Sequence, residues 1–340
     1  MRLLLLLCFC LSSCSTLEFY SQAALGQLEI STAQRETREV LGDPSVASEI
    51  KDKLILAQKV RDFAKTQLQL PAGKSYTSYA DLEREHVSWV VTAAPEFSFK
   101  AETWFYPFVG ELSYRGYFEK DAAATFAETL RKQNFDVQFA GVDAYSTLGV
   151  FRDPVLNTFI DYSDVRFVEL LMHELTHRRI FLTGETTFNE GLAVVVGRAG
   201  TRQFLRQTSQ AAALANYEKG LRRTDEFIKV LTRSTETLNQ LYASDKLDSN
   251  KRLEKARIFH ALQDELATLR ESWGGQGLES WLNQPLGNAH ITSVLTYYAA
   301  VPWFESLLSQ HDGNVPMFLA AIEENKKDYV AALRQWLEAR

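Results

Sequence analysis

Two short motifs, His173-Glu174-Leu175-Thr176-His177 and Phe188-Asn189-Glu190-Gly191-Leu192-Ala193, follow each other closely near the middle of the chain. On an α-helix, positions four apart lie about 40° apart around the axis and about 6 Å apart along it, so His173 and His177 can reach one ion. Glu190 adds a carboxylate shortly afterwards. The spacing therefore predicts a His, His, Glu ligand set for one zinc ion, with a fourth position open to water.

Glu174 lies three positions before His177, close to the same face of the predicted helix. There it can hold a water molecule beside the ion and take its proton. Coordination to Zn²⁺ lowers the pKa of water from about 15.7 to about 7, so a carboxylate base works near neutral pH. The motif is typical of a hydrolase site in which Glu174 is the base.

The residues around both motifs favour two helices joined by a tight turn. Ser163 or Asp161 can cap the first helix, and Thr183-Gly184 provides a stop. The second helix is expected to begin near Thr187 and to bring Glu190 back over the imidazoles. The apolar positions that support this packing are Val165, Val168, Met172 and Leu175 in the first helix and Leu192 to Val196 in the second.

Other interpretations of these residues remain open. Glu190 also fits a capping box, in which its carboxylate bonds back to the backbone N–H of Thr187. Glu185 is a rival third ligand. His173 and His177 can also be structural histidines on a half-buried helix. The HExxH pattern alone does not decide between the two interpretations, since it arises by chance in roughly 1% of chains with this histidine content.

The amino-terminal residues 1–13 combine a charged start with a short apolar run, which is typical of a signal peptide and too short to span a bilayer. Small residues precede Cys14, and this ending resembles the lipobox of bacterial lipoproteins. The resemblance implies that Cys14 is acylated and anchors the chain to the lipid bilayer. Ser15 after the cysteine favours the outer membrane, with the protein facing the periplasm. An ordinary cleaved signal peptide is the alternative.

The composition excludes several classes of protein. All three cysteines, Cys8, Cys10 and Cys14, fall in or next to this leader, so no disulfide is expected in the mature chain. A hydrophobic content of 46% in 340 residues is enough for a large core in one or two domains. The net charge is -6 and Lys and Arg do not cluster, so nucleic acid is not an expected partner.

Changes in sequence pattern divide the chain into three regions after the leader. Residues 15–72 predict a helical hairpin, and residues 73–162 predict short strands around one helix at 120–133. Residues 163–340, which carry the metal motif, predict an almost wholly helical half. The expected fold class is α+β, mainly α. More local predictions are a helix from Tyr20 to about Leu41, a strand at Phe97-Ser98-Phe99 and one long helix from Gln203 to about Ala243.

The substrate side of the site is predicted from an edge strand. Hydrolases of this kind usually present such a strand to an extended peptide, which adds to it by main-chain hydrogen bonds. The best candidate is Ala144–Val150, in which Ser146 and Thr147 are candidates for substrate binding. An ordinary buried strand and turn fits the same alternation.

Two tyrosines and one arginine complete the candidate site. Tyr145 and Tyr297 are candidate catalytic residues, because a phenol can donate to the oxyanion that forms when water attacks a carbonyl. Either tyrosine can instead be a packing residue. Arg115 can hold a substrate carboxylate or pair with a structural acid.

At these residues the chain resembles the bacterial family of predicted aminopeptidase lipoproteins, within the gluzincin group of zinc peptidases. The resemblance implies ligand roles for His173, His177 and Glu190 and the base role for Glu174. The gap from His177 to Glu190 is shorter than in the best-known gluzincins, and the GAMEN sequence of many of their aminopeptidases is absent. The motifs that carry the resemblance are Phe19-Tyr20-Ser21-Gln22-Ala23, Leu112 to Phe118, Tyr145 to Gly149, Asp153 to Leu156, the two metal motifs, Asn288-Ala289, and Tyr297 with Val301-Pro302.

The sequence as a whole predicts a gluzincin-like zinc metallopeptidase, an aminopeptidase by the resemblance, that hydrolyses peptides in the bacterial envelope. An endopeptidase or a hydrolase of cell-wall peptides is an alternative enzyme. A non-catalytic envelope scaffold with structural zinc is an alternative from another class. The expected partners are a peptide substrate and, through acylated Cys14, a lipid bilayer; the sequence identifies no protein partner.

Overall fold

The computed structural model describes residues 19–106, 109–144 and 146–339, and most of this chain is helical. The prediction of an α+β protein that is mainly α is therefore confirmed. The helices are α1 (residues 19–32), α2 (Thr37–Gly42), α3 (Ser48–Gln67), α4 (Lys120–Lys132), α5 (Asn157–Ile160), α6 (Asp164–Arg179), α7 (Thr186–Gln207), α8 (Ala211–Ala243), α9 (Asp248–Ser272), α10 (Glu279–Leu282), α11 (Asn288–Tyr298), α12 (Val301–Gln310), α13 (Val315–Glu324) and α14 (Lys326–Glu338).

The strands are short: β1 (Gln34–Glu36), β2 (Ser78–Ala80), β3 (Ser88–Pro95), β4 (Trp104–Tyr106), β5 (Gly110–Leu112), β6 (Arg115–Tyr117), β7 (Phe135–Val142) and β8 (Val155–Leu156). They form three small sheets with the orders β1-β2-β8, β6-β3-β7 and β4-β5. β1 is antiparallel to β2, β2 is parallel to β8, and β3 is antiparallel to β6.

The chain divides into two units, and the first contains residues 19–91, 115–126 and 139–179. Its central contact is that of α3 with α6. α3 forms because its apolar residues recur every three or four positions and lie on one face. Leu54, Ala57, Val60 and Ala64 on that face are fully buried.

The single helix predicted from Tyr20 to about Leu41 is wrong, because β1 interrupts it. Gln34 pairs with Ala80 across the sheet, and its side-chain carbonyl accepts a hydrogen bond from Ser78 Oγ at 2.9 Å. These partners lie far away in sequence. A local helical pattern cannot show that a distant strand offers the backbone better hydrogen bonds.

The second unit contains residues 92–114, 127–138 and 180–340. Within it α7 packs against α11 and α12, and α8 packs against α9. The apolar run of α7 from Leu192 to Val196 is buried, as predicted. The core between α8, α9 and α11 consists of Val230, Leu231, Leu238, Phe259, Leu262, Leu266 and Ile291.

The long helix predicted from Gln203 to about Ala243 is also wrong, because it is two helices separated by residues 208–210. The Gln210 N–H bonds to the Leu205 carbonyl at 2.9 Å, and the Ser209 N–H bonds to the Arg206 carbonyl at 3.1 Å. Ser209 has φ 56°. This is a Schellman ending in which serine takes the left-handed position that glycine usually fills. The sequence therefore lacks the usual stop signal.

Two further expectations concern strands and domains. Phe97-Ser98-Phe99 is not a strand, since the described backbone turns there after β3 ends at Pro95. The division into consecutive regions at 15–72, 73–162 and 163–340 stays a prediction. Among the described residues, no helix has the combination of length and apolar character that crossing a bilayer requires.

Candidate metal centre

α6 places two imidazoles one turn apart. Ser163 caps this helix, since its Oγ accepts from the Arg166 N–H at 3.4 Å. Leu171 and Leu175 on one face are fully buried and fix the rotation of the helix. The rings of His173 and His177 then lie with their centroids 4.9 Å apart at an interplanar angle of 86°. Their two Nε2 atoms are 3.2 Å apart.

The turn between α6 and α7 is held by Asn189. Its side chain forms two hydrogen bonds with the backbone of Leu182, one from the Leu182 N–H and one to the Leu182 carbonyl, both at 2.8 Å. Gly184 lies between Leu182 and Asn189 in the sequence and has φ 78°, a backbone conformation in which most other residues are strained. This clamp sets the point at which α7 begins, at Thr186.

Gly191 allows α7 to pack closely against the following helices. A Cβ atom at this position would lie 2.7 Å from the Cβ of Ala300 and 3.4 Å from the ring of Phe304. Each residue of the motif Asn189-Glu190-Gly191 thus has a different structural role. The first fixes the turn, the last permits close helix packing, and Glu190 between them carries the carboxylate.

The structure brings together the three residues that were predicted as ligands. One side-chain ligand atom from each of His173, His177 and Glu190 lies within 4.8 Å of the others. His177 and Glu190 are each only 7% exposed. Within residues 19–106, 109–144 and 146–339, this is the group of His, Cys, Asp or Glu side chains that can hold a metal ion.

The separation of the two imidazole nitrogens fits a zinc ion. Two Zn–N bonds of about 2.0–2.1 Å at a tetrahedral angle place their nitrogen atoms about 3.3–3.4 Å apart. The observed distance between His173 Nε2 and His177 Nε2 is 3.2 Å. The donor set of two imidazoles and one carboxylate is also one that zinc accepts in catalytic sites.

The structure does not support the two alternative interpretations, that Glu190 forms a capping box or that Glu185 is the third ligand. Thr187 lies inside α7, whose N-cap is Glu185, so Thr187 is not the capping residue that the capping-box interpretation of Glu190 requires. Glu185 is bound to Arg334 in an ion pair and lies outside the metal group. Glu190 is therefore the carboxylate placed to act as the third ligand.

Glu174 is 8% exposed on α6, next to the first imidazole. Tyr76, which the sequence analysis did not single out, lies close to it in the first unit. Burial, followed by the charges of Glu174 and Asp153, raises the pKa of the Tyr76 phenol well above its usual value. Tyr76 has φ 59°, a strained conformation for a bulky residue. No sequence signal marks a residue of this kind within a loop.

A polar network connects the metal-binding helix to the loop after residue 145. Arg178 donates to Ser75 Oγ at 2.9 Å, and Ser75 Oγ donates to Asp153 Oδ2 at 3.3 Å. Asp153 Oδ1 accepts from the Oγ1 of Thr147 at 2.6 Å and from its N–H at 3.2 Å. Burial raises the pKa of Asp153, and the bonds from Thr147 oppose that effect.

This network explains why the edge-strand prediction for Ala144–Val150 is wrong for the residues described. Residues 146–147 are irregular and 148–149 form a turn. Thr147 uses its N–H and hydroxyl to bind Asp153, so these groups do not continue a strand ladder. Tyr145 lies outside the described residues. Substrate binding by Ser146 and Thr147 stays a prediction.

The structure describes Arg115 and Tyr297, the other two residues predicted for the site. The guanidinium of Arg115 on β6 lies over the rings of Phe19, at 4.1 Å, and Phe126, at 4.7 Å, which is a packing contact. Tyr297 on α11 is 37% exposed. The roles proposed for both residues in substrate binding and catalysis stay predictions. Cys14 and the leader 1–13 lie outside the described residues.

The fold and the site together define a mainly helical protein with a two-histidine, one-glutamate group that can hold a metal ion. The chain matches the family described as "Putative aminopeptidase" over residues 18–337, and it belongs to that family. Comparisons with curated proteins and with solved structures found no match.

Proposed function

We propose that this protein is a zinc-dependent aminopeptidase. The observation that carries the proposal is the convergence of His173, His177 and Glu190 within 4.8 Å, with the carboxylate of Glu174 on the same helix as the two imidazoles. Membership of the "Putative aminopeptidase" family supports a peptide as the substrate. The gluzincin-like assignment rests on the order of the two histidines and the later glutamate.

His173, His177 and Glu190 would hold the ion. Zinc at such a site supplies Lewis acidity, which lowers the pKa of a water molecule to about 7 and polarises a carbonyl group. Glu174 accepts the proton of the attacking water and then donates it to the amine that leaves, so it acts first as base and then as acid. Its burial excludes bulk water from that proton transfer.

The two alternative functions, a different peptide hydrolase and a non-catalytic zinc scaffold, can be distinguished from an aminopeptidase. An endopeptidase or a hydrolase of cell-wall peptides cleaves substrates with blocked amino termini, whereas an aminopeptidase requires a free amine. A scaffold with structural zinc would use a closed set of four protein ligands. The metal group in the described part of the chain has three residues, which favours a catalytic centre.

The central test is Glu174→Gln in the full chain, assayed for metal content and for cleavage of free and blocked peptides. We expect zinc to be retained and turnover to fall by about 10²–10⁴-fold, because the amide cannot accept the proton. Glu49→Gln makes the same chemical change at an exposed site on α3 and is the matched control. Wild-type turnover in Glu174→Gln contradicts the assignment of the base.

We also propose that the chain is anchored in the bacterial envelope through acylated Cys14, facing the periplasm from the outer membrane. The support for this is the leader sequence and its small residues before the cysteine. Separation of the expressing cells into membrane and soluble fractions tests this anchor. The wild-type chain is expected with the membranes and Cys14→Ala in the soluble fraction; equal distribution of both contradicts the anchor.

A further inference from the structure

The second unit contains a cavity of about 390 Å³ formed by two helix faces, the start of α7 and the β4–β5 hairpin. On α11 its wall includes Thr292 and, three and four positions later on the same helix face, Leu295 and Thr296. α14 contributes a face of the same spacing that includes Leu333 and Leu337. The volume lies in the range of ligand pockets, about 300–1,000 Å³.

Two residues that line the cavity lie on the same helix as the candidate metal ligand Glu190. Thr186 and Thr187 line it, and they lie four and three positions before Glu190 in α7. Residues at these spacings share one face of a helix, with Cβ atoms about 5–6 Å apart. Part of the cavity wall is therefore one helical turn from Glu190 along α7.

The lining combines buried apolar side chains with threonines, a serine and three charged side chains. Phe188 is 1% exposed and Leu333 is 3% exposed. Arg334 forms an ion pair with Glu185, so these two charges compensate each other. Glu111 on β5 is exposed. A charged side chain held against the buried apolar residues of the lining would lose its hydration there, which is costly.

We propose that this cavity binds a medium or large apolar side chain of the peptide, at a residue next to the bond that is cleaved. Leucine and phenylalanine are the expected side chains, because they can contact the half-buried apolar residues of the lining, Leu295 and Leu337. The inference rests on the proposed function and names its substrate class. It also makes a prediction for binding alone, which does not require turnover.

The test is Thr296→Trp, which fills the cavity from the α11 face, with Thr237→Trp at an exposed position of α8 as the matched control. Aminoacyl anilides of leucine, phenylalanine and alanine are the substrates. We expect the wild type to prefer the first two. Thr296→Trp should lower kcat/KM for them by about tenfold or more, and for alanine by less than about threefold, with zinc content unchanged.

Leu337→Ala removes apolar wall instead of adding bulk, and it should lower kcat/KM for leucine severalfold relative to alanine. Binding of leucinol, phenylalaninol and alaninol, measured by calorimetry, gives the same comparison without hydrolysis. If no peptide is cleaved but phenylalaninol binding still depends on residue 296, the proposed function fails and the cavity assignment stands. If both variants affect all side chains equally, the cavity assignment fails.

Discussion

At the scale of single residues, the candidate site depends on what lies beside each ligand. Asn189 clamps the turn before α7 by its two hydrogen bonds to Leu182, and Gly191 permits the close approach of Ala300. Glu190 is held between these two constraints. Because its backbone is fixed in this way, Glu190 loses less conformational entropy on binding an ion than a residue in a flexible loop would.

Glu190 and Glu185 can be separated by metal analysis of matched substitutions. Glu190→Gln should reduce bound zinc well below about one ion per chain, because a neutral amide is a much weaker ligand than a carboxylate. Glu185→Gln should keep its zinc, since Glu185 binds Arg334 instead. The measurement is elemental analysis after dialysis against a weak chelator, with circular dichroism to confirm folding. Equal zinc loss in both variants would show that the ligand assignment is wrong.

At the scale of secondary-structure elements, the start of α11 is fixed by Asn288. This fully buried side chain donates from Nδ2 to the carbonyls of Pro95, Glu96 and Ser98 at 3.0–3.1 Å. Its Oδ1 accepts from Tyr242 Oη at 2.7 Å. The element that forms one wall of the proposed substrate cavity is thus held by hydrogen bonds to a loop.

Asn288→Ala should lower the free energy of unfolding by about 2–4 kcal/mol, because it leaves three half-buried carbonyls and a half-buried phenol without this partner. Asn250→Ala, at an exposed position in the first turn of α9, should change it by less than about 0.5 kcal/mol. Urea unfolding of both variants measures the difference. A loss in Asn288→Ala no larger than in Asn250→Ala would mean that these bonds contribute nothing to stability.

At the scale of the whole molecule, several buried or half-buried phenols link stability to alkaline pH. Burial, followed by nearby aspartates, raises the pKa of Tyr79 to about 12. Burial also raises the pKa of Tyr162 and of Tyr242. A phenol whose pKa is higher in the folded state contributes stability that is complete below the unfolded pKa of about 10. That contribution is lost as the pH rises through the folded pKa.

For Tyr79 this contribution to the free energy of unfolding is lost between about pH 10 and pH 12, and it amounts to about 2 kcal/mol. Tyr79→Phe cannot ionise, so its free energy of unfolding should decline less steeply than that of the wild type across this window. Tyr20→Phe, at a residue that is 40% exposed, is the control and should follow the wild type. Urea midpoints at a series of pH values give the curves. Parallel curves for wild type and Tyr79→Phe would refute the link.

Local patterns in the sequence were enough to predict α3, α4, α6 and α7, because each has apolar residues at helical spacing or a clear start and stop. They were also enough to predict the metal group, since two of its ligands lie one turn apart and the third follows a short turn. These features depend on residues that are near one another in the chain, and near neighbours are what a pattern records.

The tertiary structure decided the rest. β1 forms because a distant strand pairs with it, and the loop after residue 145 is shaped by Asp153 rather than by its own alternation. Tyr76, Arg178 and the cavity of the second unit have no local signature, because each depends on contacts between separate segments. Sequence by itself determined the candidate metal-binding chemistry of this protein, whereas the surroundings of that chemistry depend on long-range packing, which no short pattern encodes.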